Sequence, residues 1–137
     1  LRDSKRDPSD KLLTKTMVNN YVKEGLMTPV RGKKYTRQQI MQLLCVYHLK
    51  QNLRLSDVKA LTGRDDVDFG ACYAHLLEDK TKIRESVPPM LDAFLPYDSD
   101  DPNGRLMLCL ALSEIASYLR RLCESVIDAI DEQTGGK

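Results

Sequence analysis

LTKTMVNNYVKEGLMTPVRGKKYT, residues 13–36, is the stretch on which the fold turns. Thr14 stands where a helix N-cap belongs, Leu13 and Val18 are spaced as a hydrophobic staple, and Gly25 offers a C-terminal exit, so the spacing predicts a helix over 15–24. At the helical repeat Val18, Tyr21 and Val22 fall on one side, and Thr16, Asn19, Asn20 and Lys23 fall on the other. One face is built to pack. The opposite face offers a hydroxyl, two amides and an ammonium. Beyond it, Pro29 and Gly32 punctuate a short basic segment of hairpin length, which predicts a small β wing.

Working outward, Thr36 and Gln39 form a capping box and Tyr35 and Ile40 its staple, predicting a helix over 37–51. Ile40, Met41, Leu43, Leu44, Val46, Tyr47 and Leu49 make that helix apolar nearly all round, as expected of a central beam. Ser56 is expected to cap a short helix carrying Val58 and Leu61 and closed by Gly63. A further helix is predicted over 66–86, with Asp65, Asp66 and Asp68 at its start and Pro88 and Pro89 weakening or ending it. Residues 96–104 read as an acidic linker. The last helix, predicted over 104–132, spaces Leu108, Leu112, Ile115, Leu119, Leu122 and Val126 alternately by four and three, a heptad seam. That seam serves either packing within the chain or a second copy. The expected organisation is therefore all-α with a small β wing: a tail over 1–12, a head over 13–64, an acidic helical region over 65–132 and a tail over 133–137.

Charge divides the chain in the same way. Residues 1–64 hold 14 Lys and Arg against 5 Asp and Glu, a net +9, whereas residues 65–137 hold 7 against 15, a net −8. A basic half of this strength attracts polyanions through a long-range field. The longest apolar run, Leu106 to Leu112, is too short to cross a bilayer, and the charged opening residues carry no secretory pattern. A cytoplasmic protein without a membrane partner is expected. Cys45, Cys72, Cys109 and Cys123 lie within apolar segments and are expected to be buried, reduced thiols.

In order, the run from Leu13 to Thr36, the long helix after it and LSDVKAL at 55–61 resemble a MerR-type DNA-binding head. Leu13, Thr14, Val18, Tyr21, Glu24, Gly25, Leu26, Pro29, Arg31, Lys34, Tyr35 and Thr36 fall where that pattern puts equivalent residues. The chain resembles in particular the bacterial family called domain of unknown function 1836, a family of MerR-like helix-turn-helix proteins. The resemblance implies a winged helix-turn-helix, dimerisation through C-terminal helices and transcriptional control. Three features depart from MerR heads: a shorter wing, Asn19 and Asn20 in place of Arg and Tyr, and no helical pattern over 1–12, where the first helix of the motif would lie.

The chemistry of the residues fits that reading. An Asn amide can pair with adenine N6 and N7 in the major groove, and Asn19 and Asn20 have that capability. Thr16 and Lys23 flank them, while Arg31, Lys33, Lys34 and Arg37 are spaced to neutralise phosphates. Cys45 with His48 and Cys72 with His75 share a C-x-x-H spacing that could hold zinc, but core packing explains both pairs and no metal or other cofactor is expected. The chain has no phosphate-binding glycine loop, nucleophile elbow or catalytic histidine arrangement. The expected function is sequence-specific binding of double-stranded DNA by a homodimeric, non-enzymatic regulator. The alternative is a helical protein–protein interaction module that has lost DNA binding.

Overall fold

The computed structural model describes residues 14–29, 32 and 34–135. Five helices follow in order: α1 (Lys15–Lys23), α2 (Arg37–Leu49), α3 (Leu55–Thr62), α4 (Phe69–Phe94) and α5 (Pro102–Gly135). Helix accounts for 75% of the described residues, and no strand occurs among them, which fits the all-α class. Two compact units divide the chain, residues 1–73 and 74–137, with the boundary inside α4.

In the first unit, the Thr14 hydroxyl accepts from the Met17 N–H at 3.1 Å and starts α1. Gly25, at φ +78°, ends it. Its N–H reaches the Val22 carbonyl and the Leu26 N–H reaches the Tyr21 carbonyl, the paired bonds of a Schellman motif that requires a left-handed residue. That turn drives Leu26 and Met27 into a core shared with Val18, Tyr21, Val46 and Val58. Met17, Val22, Leu43, Leu49 and Leu53 pack around it.

The α2 capping box forms as the spacing requires: Gln39 N–H donates to Thr36 Oγ1 at 3.1 Å and Thr36 N–H donates to Gln39 Oε1 at 2.9 Å. The expected central beam differs in its buried face. Gln39 and Gln42 are buried beside Val46 and Tyr47, while Ile40 is exposed. Both glutamines are spent on backbone groups of neighbouring segments. Gln42 Oε1 accepts from the Thr28 N–H at 3.2 Å and its Nε2 donates to the Thr62 carbonyl at 2.7 Å. Gln39 Nε2 donates to the Pro29 carbonyl at 2.7 Å.

These bonds also account for the absence of a β wing among the described residues after α1. The backbone around Thr28 and Pro29 is satisfied by side chains of α2 rather than by a cross-strand ladder, and Gly32 takes φ +70°. Val30, Arg31 and Lys33 lie outside the described residues.

α3 begins one residue before the expected Ser56 cap. Arg54 occupies the N-cap without a side-chain capping hydrogen bond, its Nε lying 3.6 Å from Asp57 Oδ2, and Asp57 lies in the first turn, where its charge favours the helix dipole. Gly63 closes α3 against Gly25: a Cβ at Gly63 would run into the Gly25 carbonyl oxygen.

α4 starts at Phe69, where Asp68 acts as its cap, Oδ1 accepting from the Ala71 N–H at 3.1 Å. Asp66 belongs instead to a pair with Arg64. The helix continues through Pro88 and Pro89 to Phe94, correcting the expected end near 86. Those prolines remove N–H groups that would bond the carbonyls of Arg84 and Glu85, and both residues are exposed, so water can take their place. α5 opens with Pro102 as its first residue after Asp101, whose Oδ2 accepts from the Gly104 N–H at 2.9 Å. It runs on to Gly135, beyond the expected 132 and into the segment read as a tail.

Candidate nucleic-acid interface

α1 has nine residues, and its two faces separate cleanly. Val18 and Tyr21 are buried, whereas Thr16, Asn19, Asn20 and Lys23 are all exposed. None of those four side chains has a hydrogen-bond or ionic partner among the described residues. The core holds the helix from behind. Tyr21 is fixed further by Lys50, whose Nζ lies 4.5 Å from the ring centroid and 3.3 Å from the hydroxyl. That cation–π contact anchors the inner face of α1 to the C-terminal end of α2.

Lys34 and Arg37 are exposed before and at the start of α2. Arg37 also acts on Asp68, whose carboxyl is held below its usual range first by the Ala71 N–H, then by the Gln38 amide, with Arg37 a smaller influence. Arg31 and Lys33 fall outside the described residues, so the expected phosphate-binding set is placed only in part.

Two clefts border this region. One, of about 690 Å³, runs between α1 and the residues Pro29, Gly32 and Tyr35, with Lys15 and Asn19 on its walls. The other, of about 770 Å³, lies between the start of α2 and the turn into α4, lined by Lys34, Gln38, Arg64, Asp65 and Phe69 among others. Sequence reasoning missed the second cleft. Its charges answer one another: Arg64 meets Asp66 in two bonds of 2.8 and 2.7 Å, and Gln38 bridges Asp68 and the Phe69 N–H. Only the Arg64–Asp66 pair was legible locally, in the Arg64-x-Asp66 spacing; the cleft itself was not.

The seam residues of α5 are not uniformly covered. Leu108 and Ile115 are half-buried, Leu112 lies at the margin, and Leu119, Leu122 and Val126 are exposed, Val126 at 68%. On α4, Ile83, Met90 and Phe94 are exposed as well. Uncovered helix faces also explain the cysteines: Cys45 alone is half-buried, while Cys72, Cys109 and Cys123 are exposed, contrary to the expected burial. Burial pushes the Cys45 thiol up to about 11, with nearby Cys72 adding to the shift. Among the described residues no three His, Cys, Asp or Glu side chains are grouped to hold a metal ion, and His75 lies 3.9 Å from Glu78 on an exposed surface. No described helix is long and apolar enough to cross a membrane.

The head and its capped, Gly25-terminated α1 fall within a family-level match. The model of the family described as Domain of unknown function (DUF1836) matches residues 1–65, so this part of the chain is similar to that family. The description states no activity. No curated protein and no solved structure matches the chain.

Proposed function

We propose that the head is a MerR-like helix-turn-helix reader of double-stranded DNA and that the chain acts as a homodimeric transcriptional regulator. The observation that carries this reading is the outer face of α1. Four side chains able to donate or accept toward base edges and phosphates, Thr16, Asn19, Asn20 and Lys23, stand exposed and without a partner among the described residues on a helix pinned from behind. A helix presented in this way fits the major groove, where Asn amides read adenine. The +9 charge of residues 1–64 supplies the attraction to phosphate, with Lys34 and Arg37 exposed before and at the start of α2 and Arg31 and Lys33 in the same basic stretch of sequence.

Pairing of two copies along Leu108, Leu112, Ile115, Leu119, Leu122 and Val126 would present two α1 helices to paired half-sites and cover the exposed end of the seam. The uncovered apolar residues of α4 and α5 favour a second reading, a helical module that binds another protein. Titration of labelled genomic duplex fragments at several salt concentrations separates the two. A DNA reader gives saturable binding that weakens steeply with salt, and an interaction module gives none.

A further inference from the structure

The cleft between α1 and the residues Pro29, Gly32 and Tyr35 has a composition that the reading of the outer face of α1 leaves unused. Its volume is about 690 Å³, within the range of sites that hold small organic ligands. Val18 and Val22 line its α1 side, and the Pro29 ring and the half-exposed Tyr35 ring line the other. Among the described residues the Asn19 amide and the Lys15 ammonium join these apolar surfaces. Neither has a partner among the described residues, and neither does the Tyr35 hydroxyl. Gly32 leaves its part of the wall open, since a Cβ there would meet nothing within 4 Å.

A slot of mixed polar and apolar surface whose described walls carry an aromatic ring, an amide and an ammonium suits a ligand that is planar, edged with hydrogen-bonding groups and anionic at one end. We propose that this cleft takes a single nucleotide unit. Its base lies against Tyr35 and Pro29, its base edge meets the Asn19 amide, and its phosphate lies near Lys15. Every base has a π-face, so stacking on Tyr35 confers affinity, and the amide confers preference. The unit is either a free nucleoside monophosphate or an unstacked nucleotide of a bound strand. This inference rests on the nucleic-acid reading of α1, because Asn19 belongs to both.

The test uses the full chain, isotope-labelled, titrated by NMR with each of four nucleoside monophosphates, with a short single-stranded oligonucleotide and with duplex DNA. Saturable shifts of Lys15, Asn19, Gly32 and Tyr35 are expected with monophosphate, with single strand or with both, and which probe acts identifies the source. Tyr35→Ala should weaken that binding about 5- to 150-fold, the range given by ~1–3 kcal/mol per stacked base, and Tyr35→Phe should restore it. The exposed position of Tyr35 leaves the core intact in both variants. Absence of cleft shifts with monophosphate and single strand, or unchanged binding in Tyr35→Ala, overturns the proposal. If duplex binding persists in that case, the function of the head stands without the cleft. If no nucleic acid binds in any form, both fall together.

Discussion

Gln42 donates to the carbonyl of Thr62 at 2.7 Å while its own carbonyl accepts from the Thr28 N–H at 3.2 Å. One buried amide thereby ties the end of α3, the middle of α2 and the chain leaving α1 into one unit. Replacing it with Met keeps the volume and removes both bonds, leaving two backbone groups unsatisfied. Urea unfolding of Gln42→Met should show a loss of about 2–4 kcal/mol, and a loss below about 0.5 kcal/mol would mean that the three segments are held by apolar packing alone.

The close approach of Gly63 to Gly25 makes a second prediction, on stability. Gly63 has φ −80°, so Ala there meets no conformational penalty, only the Gly25 carbonyl and the Lys59 carbonyl behind it. Gly63→Ala should cost about 1–3 kcal/mol by overpacking. Gly32→Ala has open space but φ +70°, and should cost about 1 kcal/mol from backbone strain. Thermal unfolding of the two variants should rank them in that order.

Acid should loosen the turn into α4. In the fold the Asp68 carboxyl lies below its usual value because its charged form accepts from the Ala71 N–H and the Gln38 amide, and Asp66 is lowered by Arg64. A depressed folded value means that the charged form stabilises the fold. That contribution is complete above the ordinary carboxylate value of about 3.9 and is lost as pH falls through the lower folded values. Urea midpoints measured from about pH 6 to about pH 2 should therefore drop with acid, and the drop should be shallower in Asp68→Asn. An identical slope in that variant would remove Asp68 from the account.

The exposed end of the α5 seam predicts a dimer. Light scattering should give twice the chain mass at tens of micromolar, and Leu119→Asp, which places a charge among exposed Leu122 and Val126, should give the monomer. A wild-type monomer at that concentration would contradict it.

The sequence made the capped and glycine-terminated elements plain. Thr14, Gly25 and the Thr36–Gln39 box each act within three or four residues, and such contacts are written in spacing. The roles of Gln39 and Gln42 were hidden because a hydrophobic pattern assigns Gln to the surface, whereas their partners are backbone groups at Thr28, Pro29 and Thr62. The continuation of α4 through Pro88 and Pro89 was hidden for another reason: an interior proline ordinarily kinks or breaks a helix, and here the carbonyls left without a donor belong to the exposed residues Arg84 and Glu85. In the candidate interface the sequence separated the exposed face of α1 from its packing face. It did not reveal the cleft beside Arg64, which depends on where the turn from α3 into α4 falls against α2.

The central claim is that the head reads duplex DNA, with α1 on base edges and its basic neighbours on phosphates. Its most direct test is fluorescence anisotropy with duplex fragments across a salt series, using wild type and variants that neutralise Arg31, Lys33, Lys34 or Arg37 one at a time. Each neutralisation should weaken binding to all sequences alike and reduce the salt slope by about 0.9. Asn19→Ala should instead cost roughly 1–3 kcal/mol on the preferred site and little elsewhere. Absence of salt-dependent affinity for any duplex, or an unchanged slope in every neutralised variant, would contradict the account.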